Sequence, residues 1–339
     1  MNPPASPETT ARTAARTGAA EPPGKLLLVG PLPPPSGGMA NQTRQLARLL
    51  EDDGCRVTLV QTNAPYRPAW IGSVRGVRAL FRLIPYLARL WRAMRDADIV
   101  HVMANSGWAW HLIAAPAIWI AWLRHRPAIV NYRGGEAEAF LSRQSPLVRP
   151  TLRRARRIVV PSRFLERVFR AHGITTEIVP NIVDLARFCP GDLHDSRWRV
   201  VVARNLEDIY DIPTALRAFS RVLENNSQAH LTVVGSGPAR RALERIVGEL
   251  GLRSAVTFTG RLDNERMADV YRSADVVLNP SRVDNMPISL LEAMASGVPI
   301  VSTDAGGIPD MVDDGKTALL VPVGDERAMA AAALRVLTD

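Results

Sequence analysis

The sequence predicts an α/β protein built from two doubly wound parallel-sheet domains. The chain has 339 residues, and a chain of that length suggests two cores at roughly 150 residues per domain. Short Val/Ile-rich runs alternate with longer helical stretches, and each run ends at Gly, Pro, Ser or Asn, as buried parallel strands do. These runs form two sets of about six, which predicts two such domains.

The predicted strands fall into two groups along the chain. The first group is 25–30, 56–60, 98–102, 128–131, 157–160 and 177–179. The second group is 199–203, 230–235, 255–259, 275–278, 299–302 and 318–321. Pro190-Gly191 and a polar run interrupt the alternation between the groups. We therefore predict an N-terminal domain at 24–183, a linker at 184–197 and a C-terminal domain at 198–339.

Residues 1–23 precede the first predicted strand and are rich in Pro, Ala and Thr. They lack the continuous apolar core of a signal peptide, so we predict a disordered tail. Two cysteines, Cys55 and Cys189, lie in different predicted elements and cannot form a metal cluster alone. Reduced thiols are typical of the cytosol, which predicts a cytoplasmic protein.

The chain carries a formal net charge of +9 that comes almost entirely from arginine, since Lys25 and Lys316 are its only lysines. A basic balance favours anionic partners such as a nucleotide, a phospholipid surface or a nucleic acid. The sequence contains no dense Lys/Arg block with interleaved aromatic residues and no known nucleic-acid recognition motif. We therefore expect no nucleic-acid partner.

A predicted helix near residue 285 offers a site for an anion. Asn285 and Pro287 are typical of a helix start, and Gly297 is typical of a helix end. The unpaired backbone N–H groups at such a start suit a phosphate. Glu292 lies about one and a half turns into the helix and slants back towards its start, while Asp284 lies in the loop before it. This arrangement predicts an anion pocket with a carboxylate on each side.

Other candidate ligand groups follow predicted strands of the second half. Arg204 comes directly after 199–203, where its guanidinium could fork onto a phosphate. Gly235 and Gly237 form a turn in which the backbone can approach a ligand closely. Arg261 follows a turn whose backbone N–H and C=O groups could form hydrogen bonds with the edge of a nucleotide base. Because ligands of open α/β sheets bind beyond the carboxyl ends of the strands, we expect these groups to face a cleft between the domains.

Two loops of the first half are expected to face the same cleft. Gly37 and Gly38 follow the first strand, where either a ligand loop or a plain tight turn is possible. The loop lacks the GxGxxG spacing, so it does not indicate a dinucleotide cofactor. Arg133, Gly134 and Glu136 follow the fourth strand. If the cleft binds two substrates, a group donor and a group acceptor, these residues could contact either of them. They could equally form a salt-bridged loop, and the sequence leaves these alternatives open.

An arginine-rich segment at 66–95 has the composition of a membrane-surface helix. Its aromatic residues are Trp70, Phe81, Tyr86 and Trp91, and its arginines are Arg67, Arg75, Arg78, Arg82, Arg89, Arg92 and Arg95. Such a segment can lie on an anionic bilayer, and the alternative is a surface helix whose aromatics face the sheet. The apolar stretch at 108–123 is too short and interrupted for a confident span. We therefore expect peripheral contact with an anionic membrane and no transmembrane anchor.

As a set, these motifs resemble the retaining glycosyltransferases of family 4, which have the GT-B fold of two Rossmann-like domains and use nucleotide-sugar donors. The likeness covers about 25–335. It rests on the acidic pair Asp284 and Glu292 with seven residues between them, the run 292–299, the glycine pair Gly306-Gly307, the 180–184 motif, and the turns at 235–238 and 258–260.

The resemblance implies roles for these residues. Glu292 would bind the nucleotide ribose, Asp284 would contact hydroxyls of the donor sugar, and Arg204 would hold the diphosphate. The implied donor-binding set is Gly38, Gly235, Gly237, Arg261, Arg282, Asn285, Met286, Pro287, Ile288 and Ser289. The implied acceptor or cleft set is Gly37, Arg133, Gly134 and Glu136. Transfer would retain configuration without a metal or another cofactor. Our first hypothesis for the acceptor is a membrane-associated one, such as a lipid-linked or cell-surface polysaccharide intermediate.

The sequence departs from the family pattern in four places. Its first acid is Asp284 where Glu is commoner, and a histidine often found in the first domain is replaced around Arg133. The lysine that usually follows the phosphate-binding arginine is absent, and Tyr210 stands near its place. Either Arg282 or Arg133 could supply the missing charge. The sequence also stops at Asp339, where family members commonly continue into a helix that crosses back to the first domain.

These departures leave two further functions open. One is a nucleotide-sugar-binding partner that has lost turnover. The other is a nucleotide-sugar epimerase or hydrolase on the same architecture.

Overall fold

The computed structural model describes residues 24–34, 37–65, 78–191 and 197–338. The first described half forms one parallel sheet in the order β2-β1-β3-β4-β5-β6. Its strands are β1 (Lys25–Gly30), β2 (Arg56–Gln61), β3 (Ile99–Ala104), β4 (Ala128–Tyr132), β5 (Arg157–Val160) and β6 (Glu177–Ile178). The chain order reverses between β1 and β3, and this switch point is where doubly wound sheets open a ligand crevice.

Five helices connect these strands. They are α1 (Gly38–Asp52), α2 (Arg78–Ala93), α3 (Ala115–Leu123), α4 (Ala137–Leu152) and α5 (Arg163–Ala171). A π-helical turn at Trp110–Ala114 leads into α3. The sequence chemistry explains the ends of α5, because the Ser162 hydroxyl accepts a hydrogen bond from Leu165 N at 3.3 Å and Gly173 leaves the helix at a φ of +67°.

The second described half forms a parallel sheet in the order β12-β11-β10-β7-β8-β9. Its strands are β7 (Arg199–Ala203), β8 (His230–Val234), β9 (Val256–Gly260), β10 (Val276–Asn279), β11 (Ile300–Thr303) and β12 (Leu319–Val321). Its helices are α6 (Ile212–Asn225), α7 (Arg240–Glu249), α8 (Asn264–Arg272), α9 (Ile288–Ala295) and α10 (Glu326–Thr338). Asp263 caps α8 by accepting a hydrogen bond from Arg266 N at 2.9 Å.

Each sheet has its own hydrophobic core. Leu27, Val102 and Phe169 are buried in the first half, and Phe219 and Leu231 are buried in the second. The predicted class, two doubly wound α/β units, is confirmed. The boundaries 24–183, 184–197 and 198–339 stay predictions, and the predicted tail 1–23 lies outside the described residues.

The arginine-rich segment combines buried and exposed aromatic side chains. Residues 66–77, which include Trp70, Arg67 and Arg75, lie outside the described part. Within α2, Tyr86 is buried against the sheet, whereas Phe81 is 52% exposed and Trp91 is 43% exposed. The alternative that the aromatics face the sheet therefore holds for Tyr86 and not for these two.

The apolar stretch at 108–123 packs against the first sheet through its middle. Trp110, Ile118 and Ala121 are buried, while Trp108 and Trp122 at its two ends are exposed. Among the described helices, none combines the length and the apolar character that crossing a bilayer would need.

Candidate active site

A cavity of about 330 Å³ lies where the carboxyl ends of the two sheets face each other. Ligand sites in proteins have volumes of about 300–1,000 Å³. The predicted site residues that line the cavity are Gly37, Gly38, Arg133, Arg204, Gly235, Arg261, Asp284, Asn285, Met286, Pro287, Ile288, Ser289 and Glu292. The structure thus brings residues from both halves of the chain to one site.

Helix α9 points its first turn into this cavity. Pro287 caps the helix in an extended conformation with φ −64° and ψ 122°, and the helix begins at Ile288. The start therefore comes later than the Asn285 expected from sequence. The predicted end is confirmed, since Gly297 follows α9 at a φ of +72°. Both Pro287 and Ile288 line the cavity, so the N–H groups of the first turn are available to an anion there.

Asp284 is held rigidly in the loop before α9. Its Oδ1 accepts a hydrogen bond from Asn285 N at 3.0 Å, and its Oδ2 accepts one from the Arg204 guanidinium. Burial raises the pKa of Asp284, and the positive charge of Arg204 opposes that rise. Gly306 is required behind this loop, because its φ is +58° and a Cβ there would collide with the Asp284 carbonyl oxygen.

Arg204 is fixed on three sides. Its guanidinium pairs with Asp284, donates from Nη1 to Ser289 Oγ at 3.2 Å, and lies 4.0 Å from the centre of the Tyr210 ring. A Cβ on Gly235 would collide with the Arg204 carbonyl oxygen, so this glycine lets β8 pack against the arginine loop. Tyr210 stands near the place where the family has lysine and offers an aromatic face instead of a charge.

Four predicted residues do not line the cavity. Arg282 turns away, with its side chain 63% exposed and its Nε 3.3 Å from Asp211 Oδ2. Gly237 packs against the Leu206 backbone, where a Cβ would collide with the carbonyl oxygen. Gly134 accepts a hydrogen bond from Asn285 Nδ2 at 2.9 Å, and Glu136 is exposed just before α4. The expected donor contacts of Arg282 and Gly237 therefore do not match their positions.

Arg133 is part of a polar network on the opposite wall. Its Nε donates to Asn131 Oδ1 at 3.0 Å, and its Nη1 donates to Gln42 Oε1 at 3.3 Å and to Asn181 Oδ1. Asn181 in turn donates to the Met286 carbonyl oxygen at 2.6 Å, which ties this wall to the second half. The alternative of a salt-bridged loop is not supported, because no ion pair joins Arg133 to Glu136 among the described residues.

Tyr271 and Glu292 form the inner end of the cavity. The Tyr271 hydroxyl donates to the Ser289 carbonyl oxygen at 3.0 Å, and the Tyr271 side chain is fully buried. Burial raises the pKa of Glu292 to about 7, although hydrogen bonding with Tyr271 opposes the rise. Sequence reasoning missed Tyr271 and Gln42, because a buried residue on a helix looks like an ordinary core residue.

The raised pKa of Glu292 predicts a pH dependence of stability. In the folded chain the Glu292 carboxyl group keeps a proton that it loses near its ordinary pKa of 4.5 in the unfolded chain. The contribution of this group to the free energy of unfolding is therefore fully present below pH 4.5 and is lost as the pH rises through about 7. As the pH rises from about 5 to about 8, we expect the free energy of unfolding of Glu292→Gln to increase by on the order of 2 kcal/mol relative to that of wild type. Urea denaturation of both proteins at the two pH values measures this difference, and a difference independent of pH contradicts the assignment.

No group of three or more His, Cys, Asp or Glu side chains in the described part of the chain is arranged to hold a metal ion.

Comparisons with known proteins match both halves of the chain. A model of glycosyltransferase family 4 matches residues 36–187, and a model of glycosyl transferases group 1 matches residues 198–339. Over 326 residues the chain is 27% identical to a phosphatidyl-myo-inositol mannosyltransferase of Mycolicibacterium smegmatis, covering 89% of this chain and 82% of that one. Over 192 residues it is 32% identical to a D-inositol 3-phosphate glycosyltransferase of Nocardia farcinica, covering 52% of this chain.

The chain spans only 42% of the length of the Nocardia relative. Among solved structures, HepE of Anabaena in complex with UDP and glucose is similar with a TM-score of 0.69, at 16% identity and with coverage of 93% of this chain and 90% of that one. This likeness concerns the fold and agrees with the two parallel sheets. With both of its halves matched, the chain belongs to the group 1 glycosyltransferases of family 4 and has the GT-B fold.

Proposed function

We propose that this protein is a retaining glycosyltransferase that moves a sugar from a nucleotide diphosphate donor to a lipid-linked or cell-surface polysaccharide acceptor. One observation carries the proposal: the first turn of α9, Arg204, Asp284 and Glu292 line one cavity between the two sheets. That set suits a ligand with a diphosphate and many hydroxyls. The similar HepE structure holds UDP and glucose, which supports a nucleotide-sugar donor.

In this proposal each wall of the cavity contacts one part of the donor. Glu292 accepts hydrogen bonds from the ribose hydroxyls, and Asp284 accepts them from hydroxyls of the sugar. The diphosphate lies between the first turn of α9 and Arg204, near Ser289. Arg204 then moves part of its hydrogen bonding from Asp284 to the phosphate oxygens, while Asn285 N and Ser281 Oγ continue to hold the Asp284 carboxylate.

In this proposal the protein catalyses transfer by stabilising the negative charge of the leaving diphosphate. When the bond between the anomeric carbon and the phosphate oxygen breaks, negative charge grows on that oxygen. An acceptor hydroxyl oxygen forms the new bond to the anomeric carbon, and its proton is then taken up by the released diphosphate. Arg204 and the partial positive charge at the start of α9 lie where they lower the energy of that charge. A diphosphate leaves without a proton, so neither carboxylate has to act as a general acid. We therefore include metal-independent transfer in the proposal.

Incubation of the full chain with radiolabelled nucleotide sugars and membrane extract tests this function. We expect label in the extract, unaffected by EDTA, with the donor's anomeric configuration kept in the product by proton NMR. Tight nucleotide binding without turnover would point to a binding partner. Released free or isomerised sugar without an acceptor would point to a hydrolase or an epimerase. An inverted product would contradict retention.

We also propose that the first half contacts the cytoplasmic face of an anionic membrane. Phe81 and Trp91 of α2 and Trp122 of α3 are exposed. Arg89 and Arg92 of α2 and Arg95 just after it are exposed as well. The Arg124 guanidinium lies 3.9 Å from the centre of the Trp91 ring, which keeps a cation next to an exposed aromatic side chain. The mycobacterial relative is named for a phosphatidyl acceptor, and this supports an acceptor at a membrane.

Co-sedimentation with phosphatidylserine vesicles tests the membrane contact. Each arginine near such a surface contributes about 1 kcal/mol, so replacing Arg89, Arg92 and Arg95 by Gln is expected to weaken binding by about 100-fold. The matched control replaces three exposed arginines of the second half, Arg241, Arg245 and Arg253, and should bind as wild type does. Equal binding by the variant with Arg89, Arg92 and Arg95 replaced and by wild type would contradict the proposal.

A further inference from the structure

We propose that Arg133 selects a substrate with a second anionic group, a carboxylate or a phosphate monoester, at the sugar and acceptor end of the cavity. This inference rests on the proposed function, because it narrows the substrate class of the same site. It requires a positive charge that the protein leaves unbalanced and a position away from the donor diphosphate. Both features are present at Arg133.

The first feature is the set of neutral partners around Arg133. Its guanidinium donates to the amide oxygens of Asn131, Gln42 and Asn181. Within the described residues none of its hydrogen-bond partners is a carboxylate. Two arginines of the second half differ, since Arg204 pairs with Asp284 and Arg282 pairs with Asp211. The amide dipoles orient the guanidinium without cancelling its charge.

The charge is maintained although burial disfavours it. Burial lowers the pKa of Arg133 to about 10, which still leaves the side chain protonated at neutral pH. The same charge lowers the pKa of the buried His101, after desolvation, to about 4, so this histidine adds no further charge. Arg133 is only partly buried and lines the cavity. A partly buried charge without a counter-ion is still costly, and an anion that enters from the cavity would supply one.

The second feature is where Arg133 lies in the cavity. Its neighbour Gly134 accepts a hydrogen bond from Asn285, and its partner Asn181 donates to the Met286 carbonyl oxygen. Arg133 therefore faces the loop of Asp284, where the sugar is proposed to lie. The diphosphate is proposed further along, where Arg204 donates to Ser289 Oγ. The position thus favours a group on the sugar or the acceptor.

The site is also rigid enough to discriminate between ligands. A Cβ on Gly134 would lie 2.5 Å from Ser106 Oγ and 2.6 Å from Asn105 Oδ1, so the chain after Arg133 packs tightly against the loop after β3. Hydrogen bonds at Nε and Nη1 fix the plane of the guanidinium, while Nη2 makes no hydrogen bond to the described residues. A guanidinium held in one plane suits the planar geometry of a carboxylate or the oxygens of a phosphate.

The anionic group can come from two sources, and two sets of titrations separate them. The donor arm compares UDP-glucuronate with UDP-glucose on the full chain. The acceptor arm compares glucose 6-phosphate with glucose on the UDP-saturated chain. We expect wild type to prefer the anionic ligand by about tenfold or more in one arm, and that arm identifies the source.

Arg133→Gln is expected to abolish this preference while the Kd for UDP changes less than about twofold. Arg133→Lys, which keeps the charge, should keep part of the preference. Arg167→Gln is the matched control, because Arg167 also joins the two halves through an ion pair with Asp310 but lies outside the cavity. This control should retain both the preference and the affinity for UDP.

Two results would overturn the inference. One is UDP binding without a preference for the anionic ligand in either arm. The other is a tenfold loss of UDP affinity in a folded Arg133→Gln variant, which would assign Arg133 to the diphosphate. Failure of wild type to bind UDP or the diphosphates of guanosine, adenosine and thymidine is a different result, because it contradicts the proposed function itself.

Discussion

Asp284→Asn and Glu292→Gln are each expected to lower kcat/KM for sugar transfer by about 100-fold or more. Each change removes a carboxylate that is proposed to accept hydrogen bonds from substrate hydroxyl groups. The loss of such a buried hydrogen-bond partner lowers the reaction rate by orders of magnitude. Steady-state transfer assays measure the loss, with Asp310→Asn as a control outside the cavity. Near-normal activity in both variants would contradict the assignment of this site.

The Asp284 variant has a second consequence, for stability. Removing one partner of a buried ion pair leaves the other charge uncompensated, which typically costs about 3–5 kcal/mol. Arg204 is that partner, and its side chain is 10% exposed. The donor can compensate the charge in the complex, so melting temperatures with and without donor separate the loss of folding from the loss of chemistry.

Arg204→Gln is expected to lower kcat by about 100- to 1,000-fold, because Arg204 stabilises charge that develops on the leaving diphosphate. Neither Tyr210 nor Arg282 can compensate, since the first carries no charge and the second pairs with Asp211 outside the cavity. Comparing kcat with KM is decisive here. A variant with a higher KM and an unchanged kcat would show that Arg204 only binds the donor and would contradict its role in the transition state.

Much of the fold follows from local sequence patterns. Buried parallel strands are short, rich in Val and Ile, and end at turn-forming residues, so runs such as 56–60 and 230–235 predicted β2 and β8 within one residue. The start of α9 was less accurate. Its position depends on the extended conformation of Pro287, which follows from packing of the loop and not from the local preference of Asn285.

The candidate site was predictable where side chains follow directly from strand ends. Arg204 comes immediately after β7, and Asp284 and Glu292 flank the start of α9, so the geometry of the sheet places them. Arg282 shows the limit of this reasoning, because its side chain turned to Asp211, a partner 71 positions earlier that no sequence pattern indicates. The amide partners of Arg133 are likewise brought together by tertiary contacts.

Donor binding in the cavity is tested by a thermal-shift panel of UDP-, GDP-, ADP- and dTDP-sugars on wild type, Arg204→Gln and Glu292→Gln. A ligand at about 100 times its Kd stabilises the native state by about 2.7 kcal/mol, which corresponds to a shift of several degrees. We expect one nucleotide to shift wild type by this amount and both variants by much less. No shift with any of the four, or equal shifts in all three proteins, would contradict a nucleotide-sugar site between the two sheets.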